Sequence, residues 1–176
     1  MRITLTLLTL CLFLFSCREN SESKLNSGDA SFEPADGQGL SKLPDSLRLM
    51  NNMLLIEDFN ADDITDFAAV VQNKYNEQIG VVIMHSSSNS ETFVFGAGKE
   101  VSGMTNLHWV EVFDLLPKGK LVAPTLVDKQ TGDIIGPDKS KEFKLIAAGI
   151  SMSVEEGHGG GILFWDGSGY RWYHVE

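Results

Sequence analysis

The chain is poor in cysteine. Only two of its 176 residues are Cys, at positions 11 and 17. With none downstream to staple a small fold, the rest of the protein must be stable through its own core. Positive charge is also scarce: 14 Lys and Arg stand against 24 Asp and Glu, a formal net charge of −10. That balance argues against nucleic acid as a partner and against electrostatic attachment to anionic lipid headgroups. No block repeats at a fixed period, and the one long apolar run is Ile3 to Phe15. This run is too short to span a bilayer comfortably, and it follows Met1-Arg2, which fits the core of a signal peptide.

The run ends in Leu14-Phe15-Ser16-Cys17, which resembles the lipobox of bacterial lipoproteins. The resemblance implies that residues 1–16 are a signal cut before Cys17 and that the Cys17 thiol is lipidated with an acyl group such as palmitate. Cys11 would leave with the signal, so the mature chain would hold neither a free thiol nor a disulfide. Loss of Arg2 would bring its charge to −11. Residues 17–39, rich in Ser, Asn, Asp, Glu and Gly, cannot bury enough apolar surface to fold and read as a flexible tether. Glu19 and Glu22 bear a loose likeness to surface-export signals of some lipoproteins. The expected location is the bacterial cell envelope, lipid-anchored at the outer membrane, on its periplasmic or surface face.

Residues 40–176 are long enough for one domain of ordinary size. Pro44 to Met50 predicts a short helix: Pro44 suits a first turn, Asp45 favours the positive end of the dipole, and Leu43, Leu47 and Met50 share a face. Strands are expected at Met53-Ile56, Phe67-Gln72, Ile79-His85 and Thr92-Phe95, and within Asn106-Phe113, where Trp109 is a candidate core aromatic. Prolines and glycines break up Leu115-Pro137, leaving one strand near Leu121-Val127, a turn at Lys129-Asp133 and a loop through Gly136-Ser140. Phe143-Ala148 is expected to follow as a strand. The sequence ends in Gly161-Trp165, then Asp166-Gly167-Ser168-Gly169, then Tyr170-Val175, a clear hairpin. The implied fold is mainly β (a β-rich α+β class): a single domain of short antiparallel strands and hairpins with one or two short helices.

The most specific chemical feature lies between Met53 and Gln72. Side chains of Asp58, Asn60, Asp62 and Asp66 occupy positions one, three, five and nine of a loop, and the Ile64 carbonyl occupies position seven. Alternate side chains of a tightly turning loop converge on one centre, and an all-oxygen set suits Ca²⁺ better than Mg²⁺ or a soft metal. Position six holds Asp63 in place of Gly. Position twelve holds Ala69 in place of the bidentate Glu of an EF-hand. The expected site is therefore structural, of weak to moderate affinity, and usable where calcium is abundant.

Glu57-Asp58-Phe59-Asn60-Ala61-Asp62-Asp63-Ile64-Thr65-Asp66-Phe67-Ala68 resembles the calcium motif of FG-GAP/VCBS-type repeats, best known from integrin-like β-propellers. The family pattern reads Gly-Asp-Phe-Asn-Gly-Asp-Gly before the last Asp, so Ala61 and Asp63 stand where it has Gly. The resemblance implies Ca²⁺ on Asp58, Asn60, Asp62, the Ile64 carbonyl and Asp66. One copy does not make a complete propeller. The whole mature region is also similar to small bacterial envelope lipoproteins that pair one such loop with an aromatic C-terminal hairpin. That similarity brings no activity with it.

Other features weigh less. Glu155-Glu156-Gly157-His158-Gly159-Gly160-Gly161 could place His158 with Glu155 as acid and base, but no second histidine lies at ligand spacing, and a turn is the simpler reading. His85, His108 and His174 are scattered among strands, and Ser86-Ser87-Ser88 shows no nucleophile elbow. In the final strand, alternation puts Tyr170, Trp172 and His174 on one face and Arg171, Tyr173 and Val175 on the other. Arg171 and Tyr173 are thus candidates for binding a glycan, a peptide or an envelope protein. The leading expectation is a non-enzymatic, lipid-anchored envelope protein whose first hairpin is stiffened by Ca²⁺. A binding module that uses the aromatic hairpin is the alternative.

Overall fold

β-Branched and aromatic runs set the architecture, because such side chains pack well on a pleated surface. The computed structural model describes residues 42–87, 89–156 and 159–175, with the backbone alone at Asn51 and Asn52. In chain order the strands are β1 (Leu47–Glu57), β2 (Asp66–Asn73), β3 (Ile79–Met84), β4 (Thr92–Gly96), β5 (Val112–Leu116), β6 (Leu121–Val122), β7 (Thr125–Val127), β8 (Ile134–Pro137), β9 (Phe143–Lys144), β10 (Gly149–Ser153), β11 (Gly160–Trp165) and β12 (Tyr170–His174). The first four form an antiparallel meander in the order β1-β2-β3-β4. The second sheet has the order β12-β11-β10-β5 and is also antiparallel. Two small ribbons, β6-β9 and β7-β8, lie in sequence between β5 and β10. The protein is mainly β and antiparallel, as its sequence implies.

Strand alternation builds three apolar layers. Ala68 and Val70 of β2 and Val81 and Ile83 of β3 pack with Ile150, Met152 and Leu163 of the second sheet, joined by Phe113 and Phe59. The other face of the first sheet places Ala69, Val71, Val82 and Met84 with Leu47. β2 and β3 are therefore buried on both faces, which is why they read as continuous apolar runs and do not alternate. β11 is buried in the same way. Leu163 joins the central core, while Ile162 and Phe164 meet Val122, Leu145 and Phe143 from the stretch between β5 and β10. Each large side chain closed off like this contributes about 1.5–3 kcal/mol of transfer free energy.

Several local expectations need correction. Pro44 to Met50 is not a helix: Leu47 N donates to the Pro44 carbonyl at 2.8 Å, closing a single turn, and β1 begins at once. Two isolated helical turns would bear the full cost of nucleation. Pairing with β2 satisfies the same backbone and buries Leu47. Lys139–Lys141 is a short 3-10 turn, capped by the Asp138 side chain. Leu121-Val127 is not one strand, since Ala123-Pro124 separates β6 from β7 and Pro has no N–H for a ladder. Phe143-Ala148 is strand only at Phe143–Lys144, and Asn106-Phe113 becomes strand only at Val112. β10 has no counterpart among the expected strands.

Candidate metal loop at the junction of the sheets

The β1–β2 connection starts where Glu57 pairs with Asp66 and the ladder ends. Asp58 organises the turn of this loop. Its Oδ1 accepts N–H bonds from Asn60 (3.2 Å), Ala61 (2.7 Å) and Asp62 (3.3 Å), and its Oδ2 accepts one from Asp63 (3.2 Å). Asn60 Oδ1 accepts from Asp62 N at 3.1 Å, and Asp62 Oδ1 accepts from Ile64 N at 2.9 Å. These local bonds are what Asp and Asn side chains offer a turn. Ala61 and Asp63 take left-handed φ values of 65° and 61°. Both stand where the resembled pattern has Gly within the turn.

The structure brings Asp58, Asn60 and Asp62 together: besides the bonds above, Asn60 Nδ2 donates to Asp62 Oδ2 at 3.0 Å. Asp66 sits at the base of the loop, fully buried. Its Oδ2 accepts from Phe59 N at 3.2 Å and its Oδ1 from Ser86 N at 2.9 Å, tying the loop to the end of β3. Burial pushes the Asp66 carboxyl above its usual range, against the pull of the Ser86 and Phe59 N–H groups. Ile64 is exposed at the tip. Among the described residues no group of three or more His, Cys, Asp and Glu side chains is arranged as a metal cage. The donors are hard oxygens, and carboxylates that accept N–H bonds keep further lone pairs for a cation. A cation does approach the loop: Lys118 Nζ lies 3.9 Å from Asp58 Oδ2 and 3.6 Å from Asp63 Oδ1. The donor chemistry at Asp58, Asn60 and Asp62 fits Ca²⁺.

Besides Lys118, three residues that the sequence does not tie to the loop hold it from outside: His85, Tyr170 and Ala148. Asn60 Nδ2 lies 3.3 Å from His85 Nδ1, and His85 Nε2 lies 2.8 Å from the Tyr170 hydroxyl. The Asp62 N–H bond to Asn60 Oδ1 assigns the amide orientation, so Nδ2 donates and His85 Nδ1 accepts. The proton then sits on Nε2 and faces Tyr170, whose hydroxyl donates to the Phe59 carbonyl at 3.3 Å. Burial, with Asp66, Asp58 and Asp62 nearby, drives the Tyr170 pKa far upward, so the hydroxyl stays protonated as this chain of bonds requires. Ala148 N donates to the Asp58 carbonyl at 2.9 Å. Tyr170, Ala148 and Lys118 all come from the second sheet or its connections. The loop therefore joins sheet to sheet as well as strand to strand. Alternation along β12 already points Tyr170 inward, but nothing in the sequence says that it meets this loop.

No family model, curated protein or solved structure matches this chain.

The C-terminal hairpin falls as alternation predicts. Tyr170 and Trp172 pack on the central core, Tyr170 against Phe93 and Phe95 and Trp172 edge-on to Trp109. Trp109 thus takes its expected place against the core. Arg171 and Tyr173 lie on the opposite face, both exposed. Arg171 Nε donates to Asp166 Oδ2 at 2.7 Å, and the Tyr173 ring packs edge-on against Phe143 and Phe164. Of the four histidines, His85 is buried, while His108 and His174 are exposed. Cys17, the signal and tether, Ser88 and His158 lie outside the described residues.

Proposed function

We propose that this is a non-enzymatic, lipid-anchored envelope protein whose β1–β2 loop binds Ca²⁺ as a structural ion. The observation that carries the reading is the convergence on one acidic loop of Ala148 N, the Tyr170 hydroxyl and Lys118 Nζ from the other half of the domain. An ion on Asp58, Asn60, Asp62 and the Ile64 carbonyl, with Asp66 below, would relieve repulsion among the carboxylates and stiffen the joint between the sheets. Its role is to lock shape, and the domain is one β-rich unit that needs no sister repeats. Chelation is expected to lower the melting temperature and millimolar Ca²⁺ to restore it; an unchanged melting curve would rule out a structural ion.

A second reading is supported by Arg171 and Tyr173, which stand two residues apart on one face of β12 and are both exposed, although Tyr173 leans on Phe143 and Phe164 and Arg171 holds Asp166. Planar groups of this kind suit a glycan, a peptide or an envelope protein at low entropic cost. Binding to an immobilised envelope fraction, compared between the wild type and the Arg171→Ala, Tyr173→Ala pair, tests it. Equal binding by two folded proteins would discard it.

A further inference from the structure

Six exposed large apolar side chains, Leu121, Leu126, Val127, Ile134, Ile135 and Ile146, belong to one stretch that begins at β6 and stops just before β10. Leu121 is 61% and Ile135 62% exposed. One open Leu or Ile is ordinary, but six within 26 residues are a concentration that calls for a covering surface. The β7–β8 ribbon carries four of them and, among the described residues, pairs with no third strand. A two-stranded ribbon is marginal in water by itself. At its base the stretch is two-faced: Val122 and Phe143 pack inward on Leu145, Ile162 and Phe164, while the directly opposed pair Leu121 and Lys144 is exposed.

The same stretch departs from the acidity of the chain. Residues 118–146 hold Lys118, Lys120, Lys129, Lys139, Lys141 and Lys144 against Asp128, Asp133, Asp138 and Glu142. Most of those carboxylates are engaged. Asp138 pairs with Lys141 at 3.1 Å and Glu142 with Lys139 at 3.0 Å, and Asp128 accepts the Gln130 and Thr131 N–H groups of its own turn. Lys120, Lys129 and Lys144 make no ion pair among the described residues. Charge is felt over only about 8 Å at physiological ionic strength. A surface touching this stretch therefore meets its lysines more than the sign of the whole chain.

We propose that this arm is a lipid-facing surface, its apolar side chains entering the headgroup boundary and Lys120, Lys129 and Lys144 taking anionic headgroups. Apolar groups interleaved with lysines, whose stems can lie along the boundary while the ammonium stays wet, are the composition of an interfacial element. Val127 and Ile134 are cross-strand partners on one face of the ribbon, and Leu126, next along β7, stands on the other. A fluid boundary can cover both faces, whereas a protein groove covers one. The inference rests on the lipid-anchor reading for its strength but not for its site. The 24 residues between Cys17 and Lys42 reach at most about 80 Å. Such a tether would make weak interfacial binding intramolecular.

The test monitors backbone amide exchange in residues 121–135 of the full lipidated chain, mixed with vesicles of phosphatidylcholine alone or with added phosphatidylglycerol. Exchange is expected to slow about tenfold or more on the anionic vesicles relative to the neutral ones. The Lys120→Glu, Lys129→Glu, Lys144→Glu variant should lose that difference, as should Leu126→Ser, Ile135→Ser, while both keep the wild-type melting temperature without lipid. Equal exchange on the two vesicles overturns the proposal. So does slowing that appears without lipid as protein concentration rises, which would make a second copy the occupant. Retention on neutral vesicles reports the anchor separately. A chain that leaves them yet is protected on anionic ones keeps the arm and removes the anchor; a retained chain with an unprotected arm does the reverse.

Discussion

At the scale of single residues, the loop works against its own side chains at two positions. Ala61 and Asp63 hold left-handed backbone, which costs a residue with a Cβ about 1–2 kcal/mol. Asp recovers part of this by local hydrogen bonding; Ala cannot. Ala61→Gly removes the steric cost and leaves the N–H bond to Asp58 in place. The unfolded chain gains freedom, so the net gain should be about 0.5–1 kcal/mol, read as a higher urea midpoint at constant slope. A lower midpoint would mean that chain entropy outweighs the strain. Asp66 presents the opposite case. Both of its oxygens accept backbone N–H bonds in a fully buried site, so Asp66→Asn turns an NH2 towards one of those donors. A loss of about 1–3 kcal/mol is expected in the same titration.

At the scale of elements, the last hairpin is the most legible part of the fold. Its Asp-Gly-Ser-Gly turn and aromatic alternation are enough to fix both register and facing. β10 escaped because Gly149-Ile150-Ser151-Met152-Ser153 offers only two large apolar side chains, and its strand character comes from being paired on both sides by β5 and β11. The first half of β1 escaped for a similar reason: local turn and helix signals at Pro44-Asp45 were overridden by pairing of Leu47, Arg48 and Leu49 with Asn73, Gln72 and Val71 of β2. Within the hairpin, Gly161 lies beneath Trp172, and a Cβ there would run into the indole ring and the Tyr173 carbonyl. Gly161→Ala should therefore cost about 1–3 kcal/mol and lower the melting temperature accordingly. Asp166 closes the turn. The Ser168 N–H, then the Arg171 guanidinium and the Ser168 hydroxyl, hold its carboxyl well below the usual range. A carboxylate depressed in the folded state contributes stability above the unfolded value, about pH 4, and loses it as pH falls below that. Asp166→Asn should melt lower than the wild type at pH 7 and converge with it in acid. Parallel curves across that window would show that the turn does not depend on the charge.

At the scale of the whole molecule, what the sequence could not show is that the acidic loop spans both sheets. Spacing alone brings Asp58, Asn60 and Asp62 to one centre, but Lys118 lies 60 residues from Asp58 in the chain and reaches it only through the crossing of β5 into the second sheet. Lys118 is also the residue that distinguishes a cation site from a plain polar turn. If the acidic side chains are a cation site, the ammonium near Asp58 and Asp63 competes with the ion. If they are only a polar turn, the ammonium is simply their counter-charge. Lys118→Met should weaken the domain slightly in chelator, by at most about 1 kcal/mol, because the Lys118 ammonium and its nearer partner Asp63 are largely exposed to solvent. In the presence of Ca²⁺ the sign should reverse. Removing a positive charge some 4 Å from the ligands should tighten Ca²⁺ binding roughly two- to tenfold and raise the melting temperature above that of the wild type. Calorimetric Ca²⁺ titration of both proteins, with melts in chelator and in Ca²⁺, makes the comparison. A variant that is weaker by the same amount in both conditions would leave Lys118 as the only cation the loop needs.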